Sequence, residues 1–167
     1  FTSYTNSIIK ASGKPAILIN DIAPNPDFEL LSKQAKLYSQ VKDRPEVIVA
    51  LGGGSVIDSA KVFAAAGNGF EKIKHFLETK NGGQALSSTP IIAVPSTSGT
   101  GSEVTCWATV WDKKNNYKYS LAHKNLFPEI AIIDPKLMIE KPYELTLVTA
   151  LDACLLYTSD AADELRS

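Results

Sequence analysis

"VIVALGGGSVIDSAKVFAAAGN", Val47 to Asn68, sets an apolar run directly against three glycines and then a helical pattern. Val47–Leu51 reads as a buried strand, and Ser55–Ala66 as the helix that follows. A strand, a glycine turn and a helix start together make an anion site. The first backbone N–H groups of a helix lack internal acceptors, and the helix dipole adds roughly half a positive charge there. A phosphate reaches those groups only where no Cβ blocks it, so Gly52, Gly53 and Gly54 suit such an approach. The plainer reading is a tight turn that lets strand and helix pack closely. Ser55 and Asp58 stand at the spacing of a capping box, and Lys61 stands one turn beyond Asp58 as a charge partner. The pattern is neither G-x-G-x-x-G nor G-x-x-x-x-G-K-[ST].

Outward from this stretch, helical and apolar segments alternate. "FTSYTNSIIKASG" predicts a helix with Phe1, Tyr4, Ile8 and Ala11 on one face and Gly13 as its stop. "PAILIN", Pro15–Asn20, predicts a buried strand. "NPDFELLSKQAKLYSQV" predicts a helix capped by Asn25, with Pro26 at its first position and Phe28, Leu31, Ala35 and Tyr38 on one face. A short helix over Glu71–Leu77 precedes the strand "PIIAVP". "TCWATVWD" and "YKYSLAH" flank "KKNN" as a hairpin. "EIAIIDP" is a last strand, and Pro142 opens a last helix. Alternation of this kind predicts an α/β fold with a parallel sheet and helices on its faces.

A second loop resembles the first in its placement. In "IIAVPSTSGTGSEVT", an apolar strand ends in Ser96, Thr97, Ser98, Thr100 and Ser102, with Gly99 and Gly101 between them. Such hydroxyls bind phosphate or ribose oxygens, although Ser, Thr and Gly are also ordinary loop residues. In a parallel sheet, ligands bind at the carboxyl edge of the strands, where both loops belong. The expected ligand is a phosphate-bearing molecule, a nucleotide foremost.

Composition excludes several other classes. The 167 residues carry a net charge of −1, so no broad attraction to nucleic acid or an anionic membrane is expected. No apolar run has the length of a membrane span. Cys106 and Cys154 lack metal-type spacing, which points to free thiols and a cytoplasmic setting.

"GGGSVIDSAK" followed by "PSTSGTGSEVT" resembles the iron-containing (group III) alcohol dehydrogenases. The stretch from Lys118 through "YSLAHKNLFPEIAIIDP" and the "ALDA" at Ala150–Ala153 are similar to that family too. The resemblance implies a Rossmann-like nucleotide-binding domain that holds NAD or NADP. By position, Gly53, Gly54 and Ser55 contact the pyrophosphate. Thr97, Ser98 and Thr100 line the path to the nicotinamide, and Lys118 stands near the nicotinamide ribose. Asp152 matches the first ligand of Fe²⁺ (or Zn²⁺), and no residue of this chain is assigned a catalytic role. The implied substrate is a small alcohol or aldehyde, with "ATVWD" and "YKYSLAH" similar to members that reduce small aldehydes such as phosphonoacetaldehyde. The implied parent enzyme is a homo-oligomer. Glycerol dehydrogenase and dehydroquinate synthase relatives share the glycine turn, and a binding module without catalysis is the other alternative.

The chain departs from the family pattern at its ends. The residue one helical turn after Asp152 is Leu156, where the family has a histidine. His75 and His123 match no ligand position. The family's first strand is expected before Phe1, and its helical C-terminal domain is expected to be absent. "CLLYTSDAADE", Cys154–Glu164, resembles a translated sequencing-library adapter. The expected organisation is therefore a dinucleotide-binding domain over 1–153, lacking its first strand, and a non-native tail over 154–167. The fragment alone is expected to be inactive.

Overall fold

An apolar run becomes a strand only when a neighbour satisfies its backbone groups, and the pairing in this chain decides which runs qualify. The structure, a computed structural model, describes residues 2–39, 45–67, 69–139 and 141–164. Phe1 and the side chain of Tyr38, both assigned to helix faces above, lie outside the described residues.

β1 (Ile48–Gly52), β2 (Ile91–Pro95) and β5 (Ile130–Ala131) form a parallel sheet in the order β1-β2-β5. The connection from β1 to β2 runs through α3 (Gly54–Ala66) and α4 (Phe70–Thr79). A separate antiparallel hairpin joins β3 (Trp107–Asp112) to β4 (Tyr117–Ala122) around "KKNN", as the sequence predicts. Asp112 accepts from the backbone N–H of Asn115, and Asn116 adopts a φ of 50°, which closes the turn.

α3 is the centre of the core. Ile57, Val62, Ala64 and Ala65 are fully enclosed, and Ala60, Phe63 and Ala66 are buried beside them. Its small residues let the sheet, the hairpin, α2 (Phe28–Ser39) and α4 approach the same helix. α4 shows the amphipathic pattern clearly, with Phe70, Ile73 and Leu77 buried and Glu71, Lys72, Lys74 and His75 exposed.

Three expectations are corrected. Pro15–Asn20 is neither a strand nor buried, and Ile17 and Leu18 are exposed. No described strand lies beside it to complete a ladder, so its β-forming residues alone do not make it one. The cap of α2 is Asp27, not Asn25: its Oδ1 accepts from Glu29 N, and Leu31 N donates to its carbonyl. Trp111 N donates to the Pro26 carbonyl and Lys113 N to Asp27 Oδ2, so attachment to the hairpin holds Pro26 outside the helix. The strand "EIAIIDP" is paired only at Ile130 and Ala131, at the sheet's edge.

α1 (Thr2–Ser12) ends before Gly13, whose φ is 61°. α5 (Lys136–Ile139) is one turn. α6 (Tyr143–Glu164) follows Pro142 and crosses Ala153–Cys154 without a break; of its residues, Thr149 is buried.

Candidate functional site

The register of β1 against β2 places the two loops. Gly52 pairs with Pro95, and Ser96 N donates to the Gly52 carbonyl at 2.9 Å. The glycine turn and the hydroxyl loop thus leave the same carboxyl edge side by side. Contact between them is close. A Cβ on Gly53 would lie 3.2 Å from Thr97 Cγ2 and Oγ1, and one on Gly54 would lie 3.1 Å from the same atoms of Thr100. Gly52 answers to a different neighbour: a Cβ there would fall 2.6 Å from Val56 Cγ2 on the first turn of α3. The tight-turn reading therefore holds at Gly52, where strand and helix could not otherwise meet.

Gly53 is the N-cap of α3, and its carbonyl accepts from Val56 N and Ile57 N. The N–H groups of Gly54 and Ser55 occupy the first helical positions, which have no acceptor within a helix. The capping box expected of Ser55 and Asp58 does not form. No side chain caps this helix, and Ser55 Oγ instead accepts from Asn25 N at 3.2 Å. Without a capping oxygen over them, these N–H groups are open to an outside acceptor.

The other assigned residues are spread around this centre. Ser98 is exposed, with Lys141 Nζ at 3.4 Å from its hydroxyl. Lys118 is exposed on β4, its ammonium 5.5 Å from the centre of the Trp111 ring, and its charge reaches Asp58. Asp152 is exposed on α6. Among the described residues no three His, Cys, Asp or Glu gather into a metal-holding group. His75 is exposed on α4, and His123 Nδ1 accepts from Asn125 N at the start of a single 3₁₀ turn. Cys106 and Cys154 are free.

Two relationships escape the sequence. Gly99 has a φ of 112°, and a Cβ there would lie 2.0 Å from the Thr149 carbonyl oxygen, so the hydroxyl loop presses on the backbone of α6. Asp58 and Lys61 reach across to the chain beyond that loop. Asp58 accepts from Ser102 Oγ at 3.1 Å and Thr109 N at 2.8 Å, while Lys61 Nζ donates to the Trp107 carbonyl at 2.7 Å. Burial pushes the Asp58 carboxyl up, against the pull of these hydrogen bonds and of Lys61 and Lys118. Burial likewise pushes the Lys61 ammonium down, against Asp58, Cys106 and Glu103. The signal for this was present in two charges set within an otherwise small and apolar helix.

Comparison with known proteins bears on the family and the fold. The profile of the iron-containing alcohol dehydrogenase family matches residues 1–135. The chain belongs to that family. Among its relatives, it is 35% identical over 157 residues to the NADPH-dependent butanol dehydrogenase of Clostridium saccharobutylicum, covering 92% of this chain and 39% of that protein. It is 32% identical to the choline dehydrogenase of Bacillus subtilis, over 87% of this chain and 36% of the relative. The chain therefore spans less than half the length of these curated relatives. Among solved structures, sulfoacetaldehyde reductase from Bifidobacterium kashiwanohense in complex with NAD⁺ superposes with a TM-score of 0.79 at 32% identity. That alignment covers 90% of this chain and 40% of the reductase. The NADH-dependent butanol dehydrogenase A of Thermotoga maritima gives 0.78 at 28% identity, with 90% and 37% covered.

Proposed function

We propose that this chain is the dinucleotide-binding portion of an NAD(P)-dependent alcohol dehydrogenase or aldehyde reductase. The observation that carries the reading is the β1–β2 register, which sets Gly53 and Gly54 against Thr97 and Thr100 at one carboxyl edge. The cradle suits a diphosphate. Its open N–H groups at Gly54 and Ser55 favour negative charge, and a Cβ on Gly53 or Gly54 would crowd Thr97 or Thr100, which border it. In this reading Gly53, Gly54 and Ser55 take the pyrophosphate, and Thr97, Ser98 and Thr100 donate or accept along the path to the nicotinamide. Lys118 stands by the nicotinamide ribose. The bound nicotinamide supplies hydride transfer, while the protein's part is to bind and orient it.

The metal reading rests on Asp152 alone. A catalytic metal of this type takes about three protein ligands, and the described residues bring no such set together. They do not fit a metal site by themselves. The 167-residue chain accordingly acts as a dinucleotide-binding module without turnover. A small alcohol or aldehyde is the substrate class for the enzyme, in keeping with the reductase and butanol dehydrogenases that the chain resembles. The organisation proposed is a binding domain over 1–153 with the adapter-like run from Cys154 as a non-native tail.

Calorimetric titration with NAD⁺, NADH, NADP⁺ and NADPH tests the reading. One-to-one binding of at least one of the four is the expected result. Heat with none of them, from a chain with a cooperative thermal transition, would overturn it.

A further inference from the structure

Asp58 and Lys61 do not belong to the cradle, yet they hold the chain that shapes it. The segment from Ser96 to Cys106 lies between two strands and has no ladder of its own. Within it, Gly99 and Gly101 adopt φ values of 112° and 63°, which leave its path unset by side-chain preference. Its far end and the start of β3 are tied to α3 at four points by two side chains. Asp58 Oδ1 accepts from Ser102 Oγ, Asp58 Oδ2 accepts from Thr109 N, and Lys61 Nζ donates to the Trp107 carbonyl and to Thr105 Oγ1 at 3.4 Å. Lys61 is fully enclosed. A buried charged pair is often no more stabilising than an apolar pair of the same size. What these two supply, and apolar residues would not, is direction: an acceptor for Thr109 N and a donor for the Trp107 carbonyl at fixed places.

We propose that Asp58 and Lys61 are positioning residues for dinucleotide binding. They lock Ser102–Thr109 onto α3, the helix whose first turn carries Gly54 and Ser55. Helix start and hydroxyl loop then move as one body, and Thr97 and Thr100 stay in contact with Gly53 and Gly54. This rests on the dinucleotide reading for the ligand, while the locking itself is independent of any ligand.

The test uses the 167-residue chain in four forms: wild type, Asp58→Asn, Ser102→Ala and Lys61→Met. Native-state hydrogen exchange reads the locking without ligand. In each variant, amides of residues 96–109 lose protection while those of β1 and β2 keep it. Protection unchanged at 96–109, or lost equally in β1 and β2, would overturn the proposal. NADH titration then reads the consequence. Asp58→Asn and Lys61→Met weaken NADH binding by about tenfold, the scale of one hydrogen bond to a charged group. Lys61→Arg, which keeps a donor, recovers part of it. Variants that bind NADH as tightly as wild type would overturn the positioning role. A wild-type chain that binds no NADH contradicts the dinucleotide reading, and hydrogen exchange still decides the locking. Ser102→Ala guards against misfolding, because it removes one bond without leaving a buried charge unpaired.

Discussion

Gly53 and Thr97 face each other across the mouth of the sheet, so closely that a side chain at position 53 would displace Thr97: a Cβ on Gly53 would lie 3.2 Å from Thr97 Oγ1. Gly53→Val therefore acts in two ways. It intrudes on the space assigned to phosphate, and it pushes Thr97 aside by a few tenths of an ångström. NAD⁺ affinity should fall at least about tenfold, with only a modest drop in thermal stability. Adding Thr97→Ser to the variant relieves the push and recovers stability without recovering affinity. Parallel recovery of both would show that the glycine serves packing alone.

Gly99 makes the tightest glycine contact in the described residues. Any side chain there meets the Thr149 carbonyl at 2.0 Å on a backbone with φ of 112°. Gly99→Ala should destabilise the chain by about 1–3 kcal/mol from backbone strain, and more once α6 is displaced. Limited proteolysis reads the displacement as new cleavage between residues 135 and 150. Unchanged melting and an unchanged digest would contradict the contact.

The glycine turn was legible in the sequence, because an apolar run cannot continue through Gly52–Gly54 and a helical pattern starts at once. The hairpin was legible for the same kind of reason, since strand patterns flank "KKNN". Pro15–Asn20 was not, because a strand is a property of two neighbours and the run itself names only one. The α2 cap was misplaced by two residues, from Asn25 to Asp27. Both residue types cap helices, and the bonds that Asp27 accepts from Glu29 N and Leu31 N, with those from the hairpin to Pro26 and Asp27, distinguish them. At the site, the sequence pointed to both loops, while the contact of Thr97 with Gly53 needed the strand register. The true partners of Asp58 and Lys61 lie far along the chain, and helical spacing is blind to such contacts.

Asp58 gives stability a pH signature. Burial raises its folded-state pKa above the ordinary value of 3.8, so between that value and the raised one this group holds its proton more firmly in the folded chain than in the unfolded one. This group's contribution is therefore fully present below pH 3.8 and is lost as pH rises through the raised folded value. Lys61, Lys118, Ser102 and Thr109 face the carboxylate and limit the loss. Relative to wild type, Asp58→Asn should gain stability as pH rises from 3.8 through the raised folded-state value. A stability difference that stays flat over that range, measured by urea unfolding, would contradict the buried placement.

The metal is a sharper case. Asp152 offers one exposed carboxylate, and about three protein ligands are needed. The purified 167-residue chain should bind neither Fe²⁺ nor Zn²⁺ stoichiometrically and should show no alcohol-dependent reduction of NAD⁺ or NADP⁺. Removal of residues 154–167 should leave dinucleotide affinity unchanged. Metal-dependent turnover by this chain, read from NADH absorbance, would overturn the assignment of Asp152.

The central claim is that the glycine turn and the hydroxyl loop form one dinucleotide cradle. Amide chemical shifts of the isotopically labelled chain, followed while NAD⁺ is added, test it most directly. Saturable shifts centred on Gly53, Gly54, Ser55 and Thr97–Thr100, all with one dissociation constant, are the expected result. Saturable shifts centred elsewhere, or none at millimolar NAD⁺ in a folded sample, would contradict it.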